Sequence, residues 1–214
     1  MKKIAIVGAG KYGCEIACII NNINDIQREW EFIGFFDDAE NLKNTENHYG
    51  KVLGTIEDLN NISEKIAVII AIGNTRSIQS IVGRIDNPNI YFPNIIHPSV
   101  LFLDKKNVRI GKGNIISAYT IVSCNVEIGD FNILNTRVTL GHDSGIGSYN
   151  VFSPNVQISG SVKVGNANTF GFNSGVIQNC TIGDNNKFGV GAILLRNANN
   201  GDNYMGNPAI KMKF

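Results

Sequence analysis

The chain holds three histidines, His48, His97 and His142, and only the last is followed by a carboxylate, Asp143. An imidazole changes charge near neutral pH and is well suited to take a proton in a transition state. A carboxylate beside it can orient the ring and stabilise its charged form. Adjacent side chains on a regular strand point to opposite faces, so the two work together only where the backbone turns sharply. From the residues alone, His142-Asp143 reads either as an acid–base pair or as a solvated polar corner. His97 precedes Pro98 and reads as a structural histidine at a domain boundary. His48 lies in the polar stretch 44–50 and reads as solvated.

A second constellation stands near the N-terminus. Gly8-x-Gly10-x-x-Gly13 follows the apolar run Ile4–Val7 and opens a helical segment. Glycines in that pattern let the backbone approach a pyrophosphate, and the helix N-terminus attracts its charge. Lys11 inside the loop is compatible with a diphosphate. Asp37 follows the second apolar run, where an acidic residue can hold a ribose or a base. Taken in isolation this is a dinucleotide site, and it supports an NAD-dependent oxidoreductase as one reading.

The elements that must position these groups follow two grammars. In the first half, apolar runs at Ile4–Val7, Phe32–Phe36, Ile66–Ile72 and Ile90–Phe92 alternate with helical patterns over Tyr12–Ile20 and Ser77–Ile85. Continuous apolar strands separated by helices predict a parallel sheet covered on both faces. From residue 110 onward an apolar residue recurs at every sixth position, from Ile110 and Ile116 through to Phe188 and Leu194, fifteen positions in all. Six residues fit one short strand and one corner, so three units make a triangular coil and fifteen make five coils of a solenoid. The apolar series forms its core. Glycine, often next after the apolar residue, and asparagine suit the corners because both tolerate tight or left-handed backbone. The period leaves the handedness of the coil open. His142 falls two residues past the inward Leu140, at a corner, with Cys124 one coil below and Gly160 one coil above.

Composition narrows the function classes. The 214 residues carry a formal net charge of +1, with 43% hydrophobic and 17% charged residues. No basic patch suggests a nucleic-acid partner, no charge pattern favours a membrane surface, and no run approaches a membrane span. The N-terminal apolar run is too short for a signal peptide. Cys14, Cys18, Cys124 and Cys180 form no Cys-x-x-Cys pair and stand at no zinc spacing with a histidine. They read as reduced thiols of a cytoplasmic protein with no metal.

The ordered set Gly8-Ala9-Gly10-Lys11-Tyr12-Gly13, Phe35-Phe36-Asp37-Asp38, Ala71-Ile72-Gly73-Asn74, Ile95-Ile96-His97-Pro98-Ser99 and His142-Asp143, closed by Gly206-Asn207-Pro208-Ala209, resembles one family over essentially the whole length. That family comprises the sialic-acid O-acetyltransferases and nucleotide-amino-sugar N-acetyltransferases of the left-handed β-helix, hexapeptide-repeat type. The resemblance implies a Rossmann-like nucleotide-sugar domain over 1–96 and a left-handed β-helix acetyltransferase domain over 97–214. It implies acetyl-CoA as co-substrate, a homotrimer with active sites between subunits, and no metal. It assigns His142 as general base with Asp143 as partner. It assigns Gly8, Gly10, Lys11, Tyr12, Gly13, Asp37, Asp38, Gly73 and Asn74 to the nucleotide sugar, and Gly160, Asn173, Gly189, Gly191 and Pro208 to acetyl-CoA.

The chain departs from the family in two places. Val151 stands nine residues after His142, where some relatives carry a second histidine. Lys11-Tyr12 stands where relatives often read Gly-His. The expected activity is N-acetylation of a nucleotide-linked amino sugar in bacterial surface-glycan biosynthesis. O-acetylation of a sugar such as sialic acid is the alternative, since both acceptors need the same base. A non-catalytic solenoid scaffold is a further alternative, beside the oxidoreductase.

Overall fold

The computed structural model describes residues 1–212; positions 213 and 214, the end of the expected repeat domain, lie outside the described residues. The chain divides into two compact units, Met1–Pro98 and the remainder from Ser99.

The first unit is built on β1 (Lys2–Val7), α1 (Lys11–Ile26), β2 (Trp30–Phe36), β3 (Glu46–Asn47), β4 (Gly50–Gly54), β5 (Ile66–Ile70), α2 (Thr75–Arg84) and β6 (Ile90–Tyr91). The sheet order is β3-β4-β2-β1-β5-β6. β1 runs parallel to both β2 and β5. Its Ile4–Val7 stretch and all of β5 are buried, which accounts for their unbroken apolar sequences. α1 continues past the expected Ile20 to Ile26 and buries Gly13, Ile16, Ala17, Ile19 and Ile20. The polar stretch 44–50 proves to contain β3, antiparallel to β4, while β4 is parallel to β2. This hairpin was missed because its two residues on β3 are both exposed and carry no apolar alternation.

The second unit is a solenoid whose two-residue strands recur from Arg109–Ile110 to Ile193–Leu194 and pair in parallel with the strand eighteen positions on. Fourteen of the fifteen periodic apolar side chains are buried; Ile110, on the first coil, is half-buried. Leu101–Phe102 adds a rung before the series, pairing with Ile121–Val122. The period hid it because the turn Lys105–Asn107 breaks the six-residue spacing. On one side of the core Phe152, Phe170, Phe188 and Tyr204 stack in sequence, with ring centroids 4.7, 4.6 and 5.2 Å apart. Beside them Asn114, Asn132, Asn150, Asn168 and Asn186 are wholly buried. Each successive asparagine donates its backbone N–H to the amide oxygen of the one below, at 2.8–2.9 Å. Stacked in this way, the side-chain amides of Asn114, Asn132, Asn150 and Asn168 are satisfied by one another and by main-chain carbonyls such as Gly147 and Gly165, which offsets the penalty of burying them; Asn186 Nδ2, at the top of the ladder, is buried without a partner.

The corners correct one expectation. The glycines that follow the core residues are not the left-handed positions. Positive φ falls three residues after the core residue instead, at Tyr119, Asn125, Phe131, Arg137, Asp143, Tyr149, Asn155 and so on to Asn185. The glycines are required because the next coil lies against them: a Cβ on Gly141 would sit 2.5 Å from Gly160 N, and one on Gly147 2.5 Å from Gly165 O.

Candidate active site

The left-handed backbone at Asp143, φ 58°, supplies the sharp turn that a strand lacks. It swings the carboxylate back so that Asp143 Oδ2 meets His142 Nδ1 at 2.8 Å. Both side chains are exposed, at 61% and 52%. The Asp143 backbone N–H donates to the Cys124 carbonyl below, and the His142 carbonyl accepts from Ser161 N above, so coil pairing fixes both residues. Asn125 Nδ2 donates to Asp143 Oδ1 at 3.1 Å, and Lys163 Nζ donates to the Asp143 carbonyl at 3.0 Å. Hydrogen bonds from His142 and then Asn125 hold the Asp143 carboxyl below its ordinary value of 3.8. A carboxylate on Nδ1 fixes the tautomer that leaves Nε2 with the lone pair.

Gly160 lies beside the ring, as the coil spacing predicts. A Cβ there would fall 2.5 Å from His142 Nε2 and 2.6 Å from Cε1. The missing side chain makes room for the imidazole itself. Val151, at the position of a second histidine in some relatives, is buried and pairs with Ile133 and Thr169.

Asn173 and Gly191 occupy the left-handed positions of a different edge of the solenoid, with Gly189 at the start of the same corner as Gly191. One sheet face separates that edge from the His142 edge, so a single chain does not bring them together. Asn173 Oδ1 accepts from Asn155 Nδ2. Pro208 lines a cleft of about 330 Å³ with Tyr204, Arg196 and Lys211.

In the first unit a cleft of about 470 Å³ opens beyond the carboxyl ends of β1, β2 and β5. This is the general ligand position of an open α/β sheet. Gly8, Asp37 and Asp38 line it; Gly10, Lys11, Tyr12, Gly13, Gly73 and Asn74 do not. Asp37 accepts from Ala9 N at 2.8 Å and from Ala39 N at 2.9 Å, so it shapes the glycine loop. Gly8, at φ +105°, takes a conformation that a side chain would strain, and a Cβ on Gly13 would overlap the Gly8 carbonyl oxygen. Nothing lies within 4 Å of a Cβ on Gly10, which leaves the N-terminus of α1 open.

Asp38 and Asn74, also in the expected set, have structural partners of their own. Asp38 pairs with Arg84 at 2.6 Å and accepts from Ile56 N. Arg84 also pairs with Glu57. Asn74 caps α2 by accepting from Ser77 N at 3.0 Å. The Tyr12 hydroxyl is buried without a hydrogen-bond partner, and burial raises its pKa. Sequence reading missed Arg76, Ser77 and Ser80, which face the cleft from α2; only the polar side of that helix hinted at them. His97 Nε2 sits 3.0 Å from Asn22 Nδ2, and burial lowers its pKa. His48 stacks edge-on with Tyr49. Among the described residues no cluster fit to hold a metal occurs, and no helix is long and apolar enough to cross a membrane.

The glycine loop and the cleft it borders fall within a region shared with known proteins. Residues 3–85 match the PglD N-terminal domain family. Beyond this PglD-type unit, solved structures match along the whole chain. The acetyltransferase domain of PglB from Neisseria gonorrhoeae, in complex with acetyl coenzyme A, is 26% identical with a TM-score of 0.86, covering 99% of each chain. A histidine mutant of perosamine N-acetyltransferase from Caulobacter crescentus, in complex with CoA and GDP-perosamine, is 22% identical with a TM-score of 0.89, covering 100% of this chain and 98% of that one. WeeI from Acinetobacter baumannii is 22% identical with a TM-score of 0.86, covering 99% of this chain and 100% of that one. A comparison with curated proteins found no match. The resemblance to hexapeptide-repeat acyltransferases therefore holds, and the fold is a Rossmann-like PglD-type unit followed by a left-handed parallel β-helix.

Proposed function

We propose that this protein is an acetyl-CoA-dependent N-acetyltransferase acting on the amino group of a nucleotide-linked amino sugar in bacterial surface-glycan biosynthesis, with His142 as general base. The observation that carries the proposal is the 2.8 Å contact between His142 Nδ1 and Asp143 Oδ2, on a chain matched end to end by a PglB acetyltransferase domain bound to acetyl-CoA.

The chemistry follows from that geometry. The sugar amine, neutral when it reacts, attacks the thioester carbonyl carbon. His142 Nε2 takes the proton the nitrogen must lose as the C–N bond forms. Asp143 stabilises the imidazolium, and collapse of the tetrahedral adduct breaks the C–S bond. The departing thiolate then recovers a proton from His142, giving free CoA and the acetamide. The nucleotide occupies the cleft beside Gly8 and Asp37, with its diphosphate toward Gly10 and the open end of α1. Because one chain keeps Asn173, Gly189 and Gly191 on a different edge from His142 and Gly160, a site using both edges needs a second subunit. A cytoplasmic homotrimer, closed by threefold symmetry, satisfies that need.

The testing experiment is a panel assay. Acetyl-CoA is mixed with several nucleotide-linked amino sugars and with hydroxyl-bearing sugars including sialic acid, and released thiol is measured for each. Thiol release with a nucleotide amino sugar is expected. Release only with a hydroxyl acceptor would replace N- by O-acetylation, and release with none would remove the proposal.

A further inference from the structure

Asn125 and Asp143 occupy the same corner position in successive coils, eighteen residues apart, and both are left-handed, at φ 54° and 58°. That shared conformation sets their side chains one above the other along one edge of the prism. The same arrangement recurs on another edge, where Asn155 Nδ2 reaches Asn173 Oδ1. The upward amide bond is therefore a property of this corner, whatever the pair does.

At this corner the acceptor is the carboxylate of the dyad. Its two oxygens are divided: Oδ2 takes His142 Nδ1 at 2.8 Å and Oδ1 takes Asn125 Nδ2 at 3.1 Å. We infer that Asn125 is a positioning residue of the acyl-transfer site, acting through Asp143 to hold the carboxylate plane on the imidazole. This rests on the reading of His142 as the base. A carboxylate at an exposed corner, bonded on one oxygen only, can rotate about its side-chain torsions and release the ring into solvent. A donor on the second oxygen removes that freedom. The groups facing the carboxylate are His142 and Asn125, and Lys163 holds the Asp143 carbonyl from the coil above. Asn125 lies one coil below the dyad and eighteen residues before it, so no local motif around His142 reveals it.

The test combines kinetics with a titration. Asn125→Ala should lower kcat about 10-fold, the worth of one hydrogen bond to a charged group, with KM for acetyl-CoA and for the nucleotide sugar unchanged. In an Asp143→Ala background the same change should cost nothing further, because two residues acting through one contact are not additive. The Asp143 carboxyl, followed by carbon NMR, should titrate closer to 3.8 in Asn125→Ala than in the parent. Asn125→Asp keeps the shape, loses the donor and adds a like charge, so it should lose at least as much turnover; it serves if the alanine variant folds poorly. Full turnover in Asn125→Asp would overturn the inference. So would an equal loss in both backgrounds, or an unmoved Asp143 titration. If His142→Ala itself keeps full turnover, the base assignment fails instead, a result distinct from any of these.

Discussion

Gly160 stands so close to His142 that a Cβ on it would fall 2.5 Å from the imidazole Nε2. The His142 ring and the next coil are thus fitted to each other through an absent side chain. Gly160→Ala should displace the ring without strain in the backbone, since Gly160 does not have positive φ. Turnover should fall about 10–100-fold, approaching the loss expected when a general base is removed, while the melting temperature stays near that of the parent. Steady-state kinetics and a thermal melt on the same preparation check both halves.

The glycine loop separates into packed and open positions. Gly13→Ala would overlap the Gly8 carbonyl oxygen, whereas Gly10→Val projects into open space. The first should unfold or strongly destabilise the N-terminal unit, in the manner of overpacked sites. The second should leave stability unchanged and weaken nucleotide-sugar binding, with acetyl-CoA binding intact. Calorimetry with each ligand, and with NAD for the oxidoreductase alternative, reads the result.

The repeat unit gains stability from its internal ladders. Phe170 is stacked between Phe152 and Phe188, so Phe170→Ala should cost about 3–5 kcal/mol. Asn150→Ala removes the acceptor of the Asn168 backbone and side-chain N–H groups, at about 1–3 kcal/mol for each group left unpaired. Urea unfolding, following the transition of the repeat unit, measures both.

The dyad should survive mild acid on the carboxylate side. His142 and Asn125 depress the Asp143 pKa below 3.8. A depressed carboxyl contributes its interaction above the unfolded value and loses it only as pH falls through the lower folded value. Asp143 should therefore remain ionised throughout the range from pH 5 upward, where even ordinary carboxylates are already largely charged. Carbon NMR of Asp143 checks this, and His142→Ala should move its titration upward.

Much of this was legible in sequence because the solenoid writes its core at a fixed period. Ile116 through Leu194 are buried where the spacing put them, and the His142-Asp143 corner followed from counting. The left-handed position did not show itself, because Tyr119, Phe131 and Arg137 occupy it as well as asparagine; coil geometry outweighs local preference there. The glycines next to the core residues answered to the neighbouring coil, a contact eighteen residues away. The cleft residues Arg76 and Ser80 were hidden for a similar reason: a helix face has no fixed partner in the sequence. Arg84 ties Asp38 to Glu57 across 46 and 27 residues of chain, a contact that no local motif marks.

The proposed reaction turns on His142 taking the proton during acyl transfer. Its most direct test is the turnover of His142→Ala with acetyl-CoA and the nucleotide amino sugar that the panel identifies, beside calorimetric binding of acetyl-CoA. The expected result is a kcat lower by about 10²–10⁴-fold, with acetyl-CoA affinity and fold retained, because the side chain is an exposed corner group outside the core. Full turnover in His142→Ala would contradict it and return His142-Asp143 to the status of a solvated polar corner.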